Sequence, residues 1–333
     1  MKAFIKDIAY YLPEKIVTNE AISSDFPEWT VEKIASKIGI NQRHIAKEDE
    51  TATDLAIKAA ECLFEKKIVE KESVDYVLFC TQSADYKLPT SACIIQHQLS
   101  LRTNIGALDF DLGCSGYVYG LSLAKGLVCG GVAKNILLLT AETYNKYLHP
   151  KDKGNRTIFG DAATATIISV EGVAEIGNFC LGTDGAGAEN LIVKTCGSRC
   201  PELLSDLHFD ENNNPVSSDH LYMNGSEIFT FTLDNVPLLI TDTLTQNGMQ
   251  KEDINLFVYH QANKYMLEFL RKKSKIDKSR FYYALSEFGN TVSNSIPIAL
   301  VEAQKDGSIQ KDMNVLLAGF GVGYSWGGTI LKY

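Results

Sequence analysis

The sequence predicts an α/β chain made of two duplicated halves. Three observations carry this. Apolar runs such as Val74–Cys80 and Ile136–Thr140 alternate with segments of helical periodicity, which implies a largely parallel sheet covered on both faces. The pattern starts again after about residue 172, dividing the 333 residues into an N-terminal half (1–172) and a C-terminal half (173–333). Apolar residues make up 45% and charged residues 22%, a balance that excludes a disordered or coiled-coil chain.

In chain order, Phe4–Leu12 alternates as a strand and stops at Pro13. Trp29–Ile38 reads as a helix closed by Gly39-Ile40, and Thr53–Lys66 as a second. Val74–Cys80 is an apolar strand, followed after the turn TQSADYKLP by a helix from about Thr90 to Leu99. Asp109 to Gly130 reads as strand, glycine turn and helix, broken at Gly113-Cys114-Ser115-Gly116. Ile136–Thr140 and Thr164–Val170 are further strands, and Val173–Phe179 opens the second half. Asp184–His220, rich in Gly, Asn, Ser and Asp, forms a long excursion. Ser226–Leu244 is an apolar helix interrupted by Pro237, and INLFVYHQAN follows at 254–263.

Three pairs of segments match in the same order across the halves. Val74–Gln82 matches Ile254–Ala262, Leu108–Gly116 matches Ala284–Val292, and Ile158–Ile168 matches Gly319–Leu331. The second pair sets Gly113-Cys114 against Gly289-Asn290. In sheets of this kind ligands bind beyond the C-terminal ends of strands. Facing the halves therefore brings Cys114, His260 and Asn290 into one pocket.

Charge and targeting signals narrow the function. A net charge of −9 argues against nucleic-acid binding, so an anionic substrate needs a local basic patch. No apolar run reaches the ~20 residues of a membrane span. MKAFIKDIAYYLPEK lacks the apolar core of a signal peptide, so a cytoplasmic protein with no membrane partner is expected. The eight cysteines form no paired CxxC zinc frame, and reduced thiols fit better than disulfides. Cys196 and Cys200 could close a loop or join a metal site, but with no adjacent histidine a structural role is preferred and no metal is expected. Cys114 is the exception. At a helix N-terminus, exposed N–H groups and the dipole favour a thiolate and hence a nucleophile.

GCSG around Cys114, YHQAN at Tyr259–Asn263, FGNTVSNSIP at Phe288–Pro297 and FGVGYSWGG at Phe320–Gly328 resemble the motifs of the thiolase-fold condensing enzymes. Specifically, they are similar to those of the 3-oxoacyl-[acyl-carrier-protein] synthase III family. YLPE (Tyr11–Glu14), GINQRHIA (Gly39–Ala46), FGDAATA (Phe159–Ala165) and MNGSEIF (Met223–Phe229) extend the resemblance over the chain. The glycines of GFGVGYSWGG do not mark a dinucleotide site, because no helix or acidic residue follows at the required distance.

The resemblance implies a thiolase-like five-layer αβαβα fold, a homodimer, and decarboxylative condensation of an acyl-CoA with a malonyl thioester on acyl carrier protein (ACP). These thioesters are substrates, and no further cofactor is implied. Cys114 would carry the acyl group, while His260 and Asn290 would stabilise the enolate. The backbone N–H groups of Cys114 and Val322 would form the oxyanion hole. Trp29, Lys37 and Lys153 match positions that hold CoA, the lysines lacking arginine's bidentate fork. Leu88, Tyr144 and Phe159 match acyl-pocket walls, with Leu88 reaching a partner's pocket. Lys264, Arg271, Lys272 and Lys273 form a candidate carrier-protein dock. Tyr265 replaces an arginine found in some relatives, which leaves open an acyltransferase with another acceptor. A non-catalytic acyl-binding subunit is the alternative from a different class.

Overall fold

The structure is a computed structural model in which residues 2–211 and 213–333 are described. The strands of the first part are β1 (Phe4–Tyr11), β2 (Lys15–Thr18), β3 (Gln42–Ile45), β4 (Tyr76–Cys80), β5 (Gly106–Phe110), β6 (Asn135–Glu142), β7 (Ala162–Ser169), β8 (Ala174–Ile176) and β9 (Cys180–Thr183). The excursion that follows holds two-residue strands β10 (Leu191–Ile192), β11 (His208–Phe209), β12 (Pro215–Val216) and β13 (Tyr222–Met223). Then come β14 (Leu256–Tyr259), β15 (Asn314–Gly321) and β16 (Ser325–Lys332). Helices are α1 (Asn19–Asp25), α2 (Val31–Lys37), α3 (Ala52–Glu65), α4 (Ser91–Gln98), α5 (Gly116–Cys129), α6 (Lys153–Arg156), α7 (Gly225–Gln246), α8 (Lys264–Lys273) and α9 (Ser295–Lys305).

The main sheet has the order β14-β15-β16-β8-β1-β7-β6-β4-β5, with β9 added to β16. It is parallel only at its wings, where β4 pairs with β5 and β6, and β14 pairs with β15. The centre is antiparallel, which corrects the expected largely parallel sheet. The cause is connectivity. Helices α4 and α5 cross over between β4, β5 and β6 and return the chain in the same direction, whereas β15 and β16 form a hairpin. The run β4-β6-β7-β1 and the run β14-β15-β16-β8 have the same sense of pairing. In place of a counterpart to β5, the second wing has a single parallel bridge between Phe257 and Phe281.

Strands buried on both faces sort alternate residues into different cores. Leu78 and Leu138 face α5 and α9, which also pack against Val258, Leu317 and Leu331 of the other wing. Val77, Phe79 and Leu137 face α3 and α4. Phe257, Leu316 and Ile330 face α7 and α8. The result is the five-layer αβαβα stack.

Helices α2 and α7 depart from the sequence reading for identifiable reasons. Helix α2 starts at Val31 because Thr30 caps it, accepting the Lys33 N–H on its side-chain oxygen, so Trp29 lies outside. Helix α7 runs unbroken for 22 residues through Pro237. Burial of Phe231, Val236, Leu239 and Ile240 on both sides outweighs the ~3 kcal/mol that an internal proline costs. None of the eight cysteines forms a disulfide, and no cluster of ligands fit for a metal occurs among the described residues. No helix among them is long and apolar enough to cross a membrane.

Candidate active site

Cys114 occupies the turn between β5 and α5, one residue before the N-cap Ser115, and is 7% exposed. The β15–β16 hairpin closes over it. A Cβ on Gly321 would lie 2.7 Å from the Cys114 Cβ and 2.8 Å from Sγ, so only glycine lets the strand approach this closely. The backbone N–H groups of Val322 and of Cys114 itself act to lower the thiol's pKa. Val322 does so with an ordinary negative φ, while Gly323 takes the unusual one. These donors do not win. Burial, reinforced by Glu142, pushes the thiol up to about 12, which corrects the expectation of a thiolate at neutral pH. The helix end lies beyond the N-cap, and desolvation outweighs its field.

His260 continues β14 by one residue, its backbone N–H donating to the Ala318 carbonyl at 2.8 Å. Its Nδ1 lies 2.7 Å from Ser295 Oγ at the start of α9, and the Gln261 N–H donates to that same Oγ at 3.2 Å. Burial lowers the ring to about 3, with the Val292 backbone opposing this only in part. The imidazole is neutral at pH 7.

Asn290 is fixed from both sides. Its N–H donates to Ile158 O at 2.8 Å and its carbonyl accepts from Gly160 N at 3.0 Å. The side-chain Oδ1 accepts the Val292 N–H at 2.9 Å, which leaves the amide NH2 as the available donor. This turn stores strain. Gly289 has φ +73° and Val292 φ +56°, and a β-branched residue in that region costs ~1–3 kcal/mol.

Cys114, His260 and Asn290 line one cavity of about 180 Å³ with Tyr144, Phe159 and Phe320. A larger cleft of about 840 Å³ between Lys6 and Tyr333 holds none of the three. Ile158, Met223 and Asn263 separate the cavity from an open mouth of about 530 Å³ lined by Trp29, Lys37 and Tyr265. Lys153 is ion-paired with Glu28 at 3.2 Å, beside Trp29, whose ring carries Lys33 Nζ at 4.7 Å.

The other expected residues divide. Tyr144 and Phe159 form walls, and the Tyr144 hydroxyl donates to Gln82 Oε1. Leu88 does not line this chain's cavity and is 82% exposed. Lys264, Lys272 and Lys273 are exposed on α8. Arg271 instead turns inward to Glu268 at 2.9 Å and to the Ile276 carbonyl. Sequence reasoning did not pick out Ser295, Gln82 or Glu142. Serine at the start of a helix reads as an ordinary cap, and a glutamate ending a strand reads as exposed.

Comparison with known proteins agrees with this arrangement. The family described as 3-oxoacyl-[acyl-carrier-protein (ACP)] synthase III matches residues 108–185, and its C-terminal part matches residues 244–333. A beta-ketoacyl-[acyl-carrier-protein] synthase III of Campylobacter concisus is 35% identical, the match covering 100% of this chain and 97% of that protein. A crystal structure of a 3-oxoacyl-(acyl-carrier-protein) synthase III superposes over 100% of both chains with TM-score 0.98 and 50% identity. The enzyme of Burkholderia xenovorans LB400 superposes with TM-score 0.91 and 36% identity, covering 100% of this chain and 94% of that one.

Proposed function

The chain belongs to the 3-oxoacyl-[acyl-carrier-protein] synthase III family, and on that premise we propose how its residues carry out a decarboxylative Claisen condensation. It is a condensing acyltransferase. An acyl-CoA starter and malonyl-ACP give 3-oxoacyl-ACP, CoA and CO2, which initiates fatty-acid synthesis. The observation that carries the reading is the convergence of a thiol, a neutral imidazole and a free amide NH2 on one 180 Å³ cavity.

In the first half-reaction Cys114 Sγ loses its proton and attacks the thioester carbonyl. The N–H groups of Cys114 and Val322 donate to the developing oxyanion. The C–S bond to CoA breaks, and the departing thiolate takes up the proton. In the second, the malonyl C–CO2 bond breaks and its electron pair forms an enolate. Neutral His260, through Nε2–H, and Asn290, through Nδ2–H, donate to the enolate oxygen without surrendering a proton. The enolate carbon attacks the acyl carbonyl, the C–S bond breaks, and Cys114 regains a proton from solvent.

Tyr144 closes the floor of the cavity. Its hydroxyl is held by Gln82, whose Nε2 donates to Asp111 at 2.9 Å, so the ring does not swing aside. A short starter follows. Trp29, Lys37 and Lys153 hold CoA at the mouth, and exposed Lys264, Lys272 and Lys273 receive the acidic carrier protein. The chain works as a homodimer. Edge strand β5, paired only with β4, and exposed Leu88 support that assembly. Cysteines without a disulfide support a reducing, cytoplasmic setting.

Intact mass after mixing with a series of acyl-CoAs, wild type beside Cys114→Ala, tests the reading. A Cys114-dependent adduct that malonyl-ACP discharges with CO2 release is expected. An adduct that ignores malonyl donors would overturn it.

A further inference from the structure

Glu142 ends β6 with no exposure, yet the steps above do not use it. Its hydrogen-bond partners are uncharged. The Gln82 N–H reaches both carboxyl oxygens at 3.1 and 3.3 Å, Ser83 Oγ–H donates at 3.0 Å, and Ser293 Oγ–H donates at 3.1 Å. For stability alone, an apolar side chain would fill this space at less cost.

The partners belong to segments that matter. Gln82 follows β4 and packs on the nucleophile turn, since a Cβ on Gly113 would lie 2.6 Å from Gln82 Oε1. Ser293 lies three residues beyond Asn290, and its neighbour Asn294 accepts from Thr140, also on β6, at 2.6 Å. The end of β6 thus grips the Cys114 turn on one side and the Asn290 loop on the other.

We propose that Glu142 is a positioning residue that fixes the Asn290 loop, through Ser293, relative to the Cys114 turn, through Gln82. This rests on the roles given above to Cys114 and Asn290. The titratable groups that face the carboxyl are Asp111, Cys80, Cys114, Tyr144 and Tyr147. Each of these is neutral or negative. Burial, with Asp111 adding to it, pushes Glu142 up to about 8. Near neutral pH the carboxyl is therefore mostly protonated and does not oppose a thiolate at Cys114. Its ionised form does.

The test compares wild type with Ser293→Ala, Glu142→Gln and Glu142→Leu. It measures single-turnover acylation, CO2 release from a malonyl thioester, thermal midpoint, and the alkylation rate of Cys114 by iodoacetamide from pH 7 to 10. A misplacement of 1 Å can cost ~10²-fold, so Ser293→Ala should slow CO2 release about tenfold or more, with acylation held within about threefold. Glu142→Leu should slow both steps, and Glu142→Gln should restore both. Glu142→Gln should also be alkylated faster than wild type above pH 8. Wild-type CO2 release in Ser293→Ala overturns the proposal, as does an equal loss in both steps alongside a lowered midpoint. If the wild type releases no CO2, the condensing reading fails instead. The alkylation arm then decides the inference by itself: Glu142→Leu, which releases the Cys114 turn, should change the alkylation rate at pH 7 while Glu142→Gln should not, and equal rates for wild type and Glu142→Leu overturn it.

Discussion

Ser295 Oγ stands 2.7 Å from His260 Nδ1 while accepting the Gln261 N–H at 3.2 Å. With one lone pair taken by the backbone, the hydroxyl can donate to Nδ1 and so leave the ring proton on Nε2. Ser295→Ala should therefore lower the condensing rate about tenfold, since losing one oxyanion donor outright costs ~10²–10³. Acylation of Cys114, which does not use the ring as a donor, should change little. Separate burst and steady-state rates check this.

The His260 ring is held at about 3, well below its ordinary value, because burial penalises the cation. The unfolded chain binds that proton near pH 6.5, so native stability is intact above this value and is lost as pH falls toward 3. Wild type should lose stability across that window, and His260→Gln should lose less. Urea unfolding at pH 7 and pH 4 measures the difference.

Acylation should show the opposite limb. A Cys114 thiol pushed up to about 12 is almost wholly protonated at pH 7, and its thiolate fraction grows with pH, less steeply once Glu142 ionises near 8. The single-turnover acylation rate should climb with pH from 7 to 9 without a plateau. A plateau near pH 7 would mean that bound substrate lowers the thiol's pKa before attack.

Tyr144→Leu should open the cavity floor and admit longer acyl chains. Tyr144→Phe, which removes only the bond to Gln82, should keep the original length preference but blur it. Adduct masses across acyl-CoAs of two to ten carbons would report both changes.

Gly321→Ala places a methyl group 2.7 Å from the Cys114 Cβ, a contact that neither backbone can relieve cheaply. Acylation should fall by ~10² or more if the nucleophile moves by about 1 Å. The fold should persist, and circular dichroism alongside intact mass separates the two effects.

Much of this was legible in the sequence because it follows from local patterning. Val74–Cys80 announces a strand buried on both faces, and Gly113 to Gly116 announces a turn before a helix. The matched segments carry Cys114, His260 and Asn290 to one place in the fold. Other features depend on what the chain meets far away. The protonation of Cys114 follows from burial beneath Gly321, more than two hundred residues on, and no local rule supplies that. Pro237 reads as a break because its cost is local while the packing that outweighs it is not. Arg271 reads as a free cation until Glu268 and the Ile276 carbonyl are seen around it.

Ile158, Met223 and Asn263 border both the wide mouth at Trp29 and the small chamber at Cys114. A chamber of about 180 Å³ that shares these side chains with the mouth has room for one thioester arm at a time. The departing carrier must therefore vacate the passage before the next donor enters. Initial-rate plots for the two substrates should form parallel lines, and each donor in excess should inhibit by occupying the enzyme form meant for the other. A chamber with room for a single donor thus dictates the order of events in the whole cycle.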